Sequence, residues 1–400
     1  MPQTRNAGLL KALLHIIFFL SGIATVLIGP ILPVLARHFT LSDLQVSFFF
    51  PAQFSGSVCG TLLSSRFARA NNYMASAMLG GVALAGGELL LNFDSYGVCI
   101  AGFALVGLGV GLTLPSINMM IVEINAERPA AALSVLNFCW GLGAITSKPF
   151  VDLFSTAESL GLTTVVLAMP LLIFSVLLRV AAGPVRGSAS GQPAIERQGT
   201  QAGSLRSDGS DIWRTPLAWA IAAFNFIHVG FESGMGGWLA TYTTRLEGEP
   251  VVHWLSPTLL YFSLFVLGRG LAPVLFRYLN ENKMLFLGLS IVFVGMVITL
   301  SAGTVVMLSL GSAIAGFGTS WIFPTNVARF SKTFGAAASR RATPLFVCGT
   351  FGAALATWLI GFLSDRAGNL RAGMFVLVVS IILLIILQVV LSLRRPAAAK

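Results

Sequence analysis

The chain has 400 residues, of which 56% are hydrophobic and only 10% charged, and its formal net charge is +10. Soluble domains carry about 25% charged residues, so this chain cannot cover a water-facing surface of its own size. Its mean hydropathy of +0.84 instead indicates a protein that lies mostly in a bilayer. The hydrophobic stretches last roughly 20 residues, the length of a membrane-crossing helix, and lack the alternation of transmembrane strands.

We predict twelve membrane spans in two sets of six. They fall near residues 10–35, 43–65, 73–92, 97–122, 130–152, 162–182, 215–242, 254–275, 284–301, 304–328, 342–363 and 372–393. The segment 183–212 between the sets is rich in Gly, Ser, Gln, Arg and Asp, which is typical of a flexible linker. We therefore expect an all-α integral membrane protein with a six-helix bundle over 1–182, a cytoplasmic linker over 183–212 and a second six-helix bundle over 213–400.

A pattern of glycines and proline occurs once in each half of the chain. At one offset of 209 residues, Gly107 matches Gly316, Gly109 matches Gly318, Pro115 matches Pro324 and Gly143 matches Gly352. One offset shared by separate segments predicts a duplicated unit, and hence two bundles related by a pseudo-twofold axis. Two such halves are typical of a secondary transporter whose site lies between them. We expect the paired prolines to bend spans 4 and 10 as gating elements, with inherited packing kinks as the alternative.

Basic residues concentrate on one side of the predicted membrane. If both termini lie inside, most of the 25 Lys and Arg residues face the cytoplasm, and only Arg37, Arg245, Arg366 and Arg371 lie outside. The positive-inside rule therefore predicts cytoplasmic termini in a cytoplasmic (inner) membrane. This placement explains the net charge without a nucleic-acid partner. The expected partners are the lipid bilayer and a small solute, and we expect a functional monomer.

The sequence shows no catalytic or metal-binding constellation. Four cysteines lie singly in apolar stretches, which argues against a metal cluster or a disulfide framework: Cys59, Cys99, Cys139 and Cys348. The Gly-x-Gly-x-Gly pattern at 107–111 lies inside an apolar helix without a preceding strand, so it does not predict a nucleotide site. We expect no enzymatic activity, no cofactor and no ATP-driven transport by this chain alone.

Two sets of motifs resemble known transporters. The stretch Gly60–Arg69 between spans 2 and 3, with Arg66 and Arg69, resembles the signature of the major facilitator superfamily, although Ser stands where that family has Asp. Within that superfamily, Asn137–Ala144 and Val229–Leu239 resemble the fucose–galactose–proton symporter group. The resemblance implies a sugar substrate, with a hexose expected. It also implies buried acids in spans 1 and 4 as proton carriers.

The sequence leaves open whether transport is coupled to protons. Span 1 contains no acid, and span 4 has Thr113 and Asn118 where the resemblance implies one. Uniport therefore stands beside proton-coupled symport as an alternative.

Span 7 carries the most informative polar stripe. Asn225, His228 and Glu232 are spaced i, i+3 and i+7, which places them on one helix face. A carboxylate at mid-membrane costs at least about 2.5–3.5 kcal/mol on insertion scales, so this face predicts a wet cavity. An amide, an imidazole and a carboxylate together can bind several sugar hydroxyls. The alternative is that Glu232 bridges to a basic residue and only holds helices together.

A second stripe runs along span 5. Asn137, Trp140 and Lys148 share one face, where the indole can stack on a pyranose and the amide can donate and accept. Ordinary packing is the alternative for Trp140. Lys148 precedes Asp152 by four residues, so we expect a local ion pair there.

The remaining polar residues in the spans give weaker signals. Arg269 in span 8 could bind an anionic substrate or pair with an acid, but a structural contact or snorkelling to the cytoplasmic face is the favoured interpretation. Glu88, near the outer end of span 3, is expected at the membrane interface, with a coupling role as the alternative. Further candidates for the cavity lining are Gln53, Asn118, Trp321 and Thr325.

The sequence thus predicts a transporter that moves a small polar solute by alternating access, with a hexose as the expected substrate. Asn137, Trp140, Asn225, His228 and Glu232 are the principal predicted substrate contacts. Glu232 and Arg269 are the predicted coupling residues. The alternative within transport is an exporter of drugs or amphiphilic metabolites, which the 30 Phe residues keep open.

Overall fold

The computed structural model describes residues 7–125, 129–156, 159–181, 212–246, 256–335 and 341–393. Within these ranges the chain is helical and contains no β-strand, as predicted. Apart from Ile212, the predicted linker 183–212 lies outside the described residues. The proposed boundaries between the two bundles therefore stay a prediction.

The helices follow the predicted order of spans. In the first half, span 1 comprises Ala7–Val26 and Ile28–His38, span 2 comprises Asp43–Ser47 and Phe49–Arg69, and spans 3 to 6 are Tyr73–Leu90, Tyr96–Ile124, Pro129–Phe154 and Thr163–Ala181. In the second half, spans 7 to 9 are Pro216–Thr244, Pro257–Leu275 and Glu281–Ser301, span 10 comprises Val305–Thr319 and Ile322–Phe334, and spans 11 and 12 are Thr343–Ala367 and Leu370–Leu393.

Ten of these spans are long and apolar enough to cross a membrane by length and composition. The other two are span 5 and span 7, which are 26 and 29 residues long and carry the two predicted polar stripes. Their length suits a crossing, and their polarity is tolerable only where a helix faces protein or water rather than lipid. The architecture is the predicted twelve-helix one.

The repeated glycines make matching contacts in both halves. A Cβ atom added to Gly107 of span 4 would collide with the Gln53 carbonyl of span 2. In the second half, a Cβ atom on Gly316 of span 10 would collide with the Tyr261 carbonyl of span 8. Small residues let helix backbones approach this closely in a membrane. The glycine pattern is therefore a packing device and not a nucleotide loop.

The second pair of repeated glycines behaves in the same way. Gly143 of span 5 packs on the Phe19 carbonyl of span 1, and Gly352 of span 11 packs on the Phe226 carbonyl of span 7. Equivalent helix pairs thus meet through equivalent glycines in each half. Matching contacts of this kind are expected of two halves related by a pseudo-twofold axis.

The two halves meet at the side of the membrane opposite the first and last described helix ends. We call the side of Ala7 and Leu393 the terminus side and the other the far side. Gly29 of span 1 packs on the carbonyl of Gly236 in span 7, and Gly361 of span 11 packs on the Asp43 carbonyl. We call these contacts, together with Arg245 and Ser364, which bind the Asp43 side chain, the far-side seal.

The paired prolines lie in different local structures. Pro115 lies inside the continuous helix Tyr96–Ile124 of span 4. Span 10 is interrupted at Ser320 and Trp321, and Pro324 lies in the first turn of the helix that follows. The helix assignments thus show an interruption in span 10 that has no counterpart in span 4. A gating role for either proline stays a prediction.

Candidate functional site

The stripe on span 7 lies at the boundary between the halves. Asn225 and His228 are each 1% exposed, whereas the Glu232 side chain is 27% exposed. Glu232 precedes Gly236 by one helical turn, and Gly236 touches span 1 in the far-side seal. Glu232 therefore lies just below the seal, on the face that looks toward the other half.

Histidine and glutamate form the centre of this stripe. His228 Nε2 lies 3.6 Å from Glu232 Oε2, close enough for an ion pair if the imidazole is protonated. Asn225 donates from Nδ2 to the Leu345 carbonyl of span 11 at 2.9 Å. Asn225, at one end of the stripe, is thus fixed to span 11, whereas Glu232, at the other end, is partly accessible.

Arg269 faces the same region from span 8. Its Nε donates to the Ser320 carbonyl at 3.2 Å, and its guanidinium lies 4.2 Å from the centre of the Phe265 ring. It also interacts electrostatically with Glu232. The structural contact favoured by the sequence is present, and the snorkelling alternative is wrong, because the side chain points to span 10 within the bundle.

The Ser320 carbonyl lies where span 10 is interrupted. At that point the regular helical hydrogen bonding stops, so a carbonyl needs another donor. Arg269 supplies one, and Gly268 beside it lets span 8 come close, since a Cβ atom there would collide with the Ser320 hydroxyl. Arg269 therefore connects the acid of span 7 to the interruption in span 10.

Tyr261 and Thr319 belong to the site although they were not predicted. Tyr261 is fully buried and interacts electrostatically with both Glu232 and Arg269. Its hydroxyl interacts with that of Thr319, and both hydroxyls are buried without any other partner among the described residues. Tyr261 precedes Arg269 by eight residues, about two turns on one face, and this spacing was the available signal. We call His228, Glu232, Tyr261, Arg269 and Thr319 the polar cluster.

The first half faces this cluster through span 5. Gly141 packs on the side chain of Val266, three residues before Arg269. The neighbouring Trp140 is half-buried, and its Nε1 is buried without a partner in the described structure. Trp140 thus lies next to the contact between the halves. Asn137 is exposed one turn away and donates to the Leu133 carbonyl of its own helix.

The other predicted residues of the first half have only part of their hydrogen-bonding capacity engaged. Gln53 is buried and donates to the Thr25 carbonyl at 3.0 Å. Asn118 donates to the Leu114 carbonyl at 2.9 Å. In both, the side-chain carbonyl oxygen is buried without a partner among the described residues. Lys148 binds Asp152, so that prediction is confirmed.

Trp321 and Thr325 lie in the packed interior of the second half. Trp321 is fully buried and donates from Nε1 to the Met284 carbonyl of span 9 at 2.9 Å. Thr325 donates to the Trp321 carbonyl within its own helix. These contacts give both residues structural partners, so we leave them out of the proposed site.

No group of three or more His, Cys, Asp or Glu side chains in the described ranges is arranged to hold a metal ion. The site therefore consists of hydrogen-bonding side chains, one acid, one guanidinium and aromatic rings, located between two duplicated bundles. Such groups can offer hydrogen bonds and ring contacts to a small solute.

The chain belongs to the Major Facilitator Superfamily, whose family model matches residues 14–346. It is 26% identical over 404 residues to the 4-hydroxybenzoate transporter PcaK of Pseudomonas putida, covering 89% of this chain and 86% of the relative. It is 21% identical over 365 residues to the glucose/mannose transporter GlcP of Bacillus subtilis, covering 90% and 89%. Proteins of this family are transporters and not enzymes, as the sequence predicted.

The fold also matches solved transporters. The structure of FucP in the outward conformation superposes with a TM-score of 0.61 at 19% identity, covering 97% of this chain and 99% of FucP. The resemblance to sugar transporters of this superfamily is thereby confirmed at the level of the fold.

Proposed function

We propose that this transporter carries a neutral hexose by alternating access between its two halves. The observation that supports this most is the polar cluster, in which the charges of Glu232 and Arg269 face each other. A neutral solute adds no charge to this pair, whereas an unpaired charge in such a place is costly. The cluster therefore suits a solute recognised by hydrogen bonds alone.

Unused hydrogen-bonding atoms of the predicted site residues support a polyhydroxy solute. Buried side-chain atoms without a hydrogen-bond partner in the described chain include Trp140 Nε1, Asn225 Oδ1, His228 Nδ1, Gln53 Oε1 and Asn118 Oδ1. Buried polar groups are normally paired, so unpaired ones near a site point to a ligand. Sugar hydroxyls donate and accept, and the Trp140 ring can stack on a pyranose face.

The far-side seal indicates which side of the transporter is closed. With the termini in the cytoplasm, as the basic residues predict, the seal closes the outer side, and the solute exchanges with the cytoplasm. Opening requires the contacts of Gly29, Asp43 and Gly361 with the other half to separate. We place the protein in the inner membrane and expect it to work as a monomer.

An aromatic carboxylate is the second candidate substrate. The guanidinium of Arg269 over the Phe265 ring could receive a carboxylate and an aromatic ring together, and the similarity to PcaK points the same way. The Glu232 carboxylate argues against it, because it already faces Arg269 and would repel a second anion. A hexose therefore fits the present charges better.

Counterflow in proteoliposomes tests the proposal. Vesicles loaded with unlabelled glucose or galactose should take up the labelled sugar, and Glu232→Gln should reduce this uptake strongly. Exchange of 4-hydroxybenzoate without sugar exchange would establish the second candidate instead. Movement of lipophilic cations alone would favour the exporter alternative. Counterflow under an imposed proton gradient separates symport, which responds to the gradient, from uniport.

A further inference from the structure

Glu88 of span 3 is a buried acid that the transport site does not use. Its side chain is 1% exposed, and Oε2 is buried without a hydrogen-bond partner in the described structure. The sequence predicted this residue at the membrane interface. The residue lies two positions before the helix end at Leu90, and its side chain is packed inside the bundle.

The carboxyl lies on the face of span 3 that meets span 6. On this face, Gly81 packs on the Ser175 hydroxyl, and Asn92 binds the Thr164 hydroxyl. Glu88 follows Gly81 by seven residues and precedes Asn92 by four, so it lies between these two contacts. Between Thr164 and Ser175, span 6 offers buried apolar side chains: Leu167, Ala168 and Leu171.

Among the described residues, no charged side chain forms an ion pair with Glu88. The titratable groups nearby in the chain's packing are Cys99 of span 4, whose thiol faces the Leu91 and Phe93 carbonyls, and the surface pair of His38 and Asp94. None of them acts electrostatically on Glu88, whose surroundings affect it through burial alone. An ionised carboxylate there would be costly, so burial favours the neutral, protonated form.

A small polar pocket lies on the far side, where the chain leaves the helix that carries Glu88, and Leu91, Asn92 and Phe93 border it. It has a volume of about 60 Å³, and its polar lining is His38, Asn92 and Ser159. One water needs only about 10–15 Å³ of such space, so the pocket has room for water. Asn92 follows Glu88 by four residues and lies in the turn after the helix ends at Leu90. Space for water therefore exists beside the end of span 3, three residues along the chain from the acid.

The pocket is also bordered by a helix of the far-side seal. Val34, Leu35 and His38 belong to Ile28–His38, the separate outer part of span 1. The same short helix carries Gly29, which packs on Gly236 in the seal. Movement of this helix would change both the seal and the water access of Glu88.

We propose that Glu88 is a proton-binding site, reached from the far side through the pocket beside His38, whose occupancy favours the closed seal. With the proton bound, the carboxyl is neutral and the apolar contacts of spans 1, 3 and 6 stay together. Loss of the proton leaves an unpaired charge, which is relieved when water enters and the outer part of span 1 moves. Raising the pH on the far side therefore favours opening. The inference rests on the proposed alternating access but not on the identity of the solute.

Hydrogen exchange of the full-length protein in nanodiscs tests this site without any solute. After correction for the intrinsic pH dependence of exchange, protection of 28–47 and 361–371 should fall as pH rises in the wild type. Glu88→Gln keeps the neutral shape of the acid, so its protection should not respond to pH. Asp94→Asn, a change at the exposed partner of His38, should respond as the wild type does.

Two results would overturn the proposal. One is protection of the seal segments that does not change with pH in the wild type. The other is protection in Glu88→Gln that falls with rising pH as it does in the wild type. If Glu88→Gln fails to fold, the infrared spectrum of the wild type decides. It must show the carbonyl stretch of a protonated carboxyl at neutral pH, and its absence would refute a bound proton. Because no sugar takes part, failure here leaves the hexose proposal standing, and a failed counterflow assay leaves this site standing.

Discussion

Arg245 at the end of span 7 forms a two-point ion pair with Asp43 at the start of span 2, with Nη1 2.8 Å from Oδ2. The Ser364 hydroxyl of span 11 donates to the same carboxylate. One acid of the first half thus binds two helices of the second. Bidentate, charge-assisted bonds of this kind are stronger than neutral ones, so this acid is the main polar element of the far-side seal.

Asp43→Asn should loosen the seal. The amide cannot offer two anionic oxygens to Arg245, and it weakens the bond from Ser364. Because the Arg245 side chain is 42% exposed, solvent screens the pair, and we expect a loss of only about 1 kcal/mol for the closed state. Hydrogen exchange of 43–47 and 361–367 should accelerate severalfold. Unchanged exchange there would show that glycine packing alone holds the seal.

Glu232→Gln should weaken hexose binding by about tenfold or more, because a bond to a charged group contributes roughly 1.5–3 kcal/mol and the amide supplies less. Fluorescence titration of the purified protein with glucose measures the effect. Glu123→Gln, a change at an exposed acid at the end of span 4, is the matched control and should bind as the wild type does. Equal affinity in all three proteins would remove Glu232 from the site.

Arg269→Gln should destabilise the protein as well as the site. The change removes the donor to the Ser320 carbonyl and the ring contact with Phe265, and it leaves Glu232 without its cation. We expect a cost of about 1–3 kcal/mol in thermal unfolding. Arg269→Lys keeps the charge but cannot reproduce the planar contact, so it should recover only part of the loss. Full recovery by lysine would mean that charge alone matters.

Gly352→Leu should disrupt the contact of span 11 with span 7, since even a Cβ atom would meet the Phe226 carbonyl. Overpacking costs typically about 1–3 kcal/mol, and here backbone must move. Gly303→Leu is the control, because open space surrounds that position. Thermal unfolding should separate the two variants clearly. Equal stability would contradict the glycine packing that relates the halves.

Trp321→Phe should lower stability without changing hexose affinity. The substitution removes the bond to the Met284 carbonyl, for which we expect about 1 kcal/mol. Thermal unfolding and glucose titration of the same preparation check both parts. A large loss of affinity at normal stability would return Trp321 to the substrate site, as the sequence first suggested.

The fold was predictable because its signals are local or periodic. Hydrophobic length defined the spans, and the offset between Gly107 and Gly316 indicated the duplication whose packing the structure displays. The stripe of Asn225, His228 and Glu232 followed from helical spacing alone. Such patterns need no knowledge of which helices become neighbours.

What the sequence missed depends on contacts between distant segments. Asp43 and Ser364 are 321 residues apart, and each reads as an ordinary helix end on its own. Tyr261 joins the polar cluster because span 8 packs beside span 7, which no single stripe reveals. Trp321 was expected to contact the substrate because helical periodicity predicts which face of a helix a residue lies on. Periodicity does not predict which neighbouring helix covers that face.

Titration calorimetry of the purified wild-type protein tests the central claim most directly, with glucose and 4-hydroxybenzoate as separate ligands. A balanced pair of Glu232 and Arg269 predicts saturable binding heat for the neutral sugar and none for the anion. Saturable heat for 4-hydroxybenzoate together with none for glucose, galactose or mannose would contradict the account.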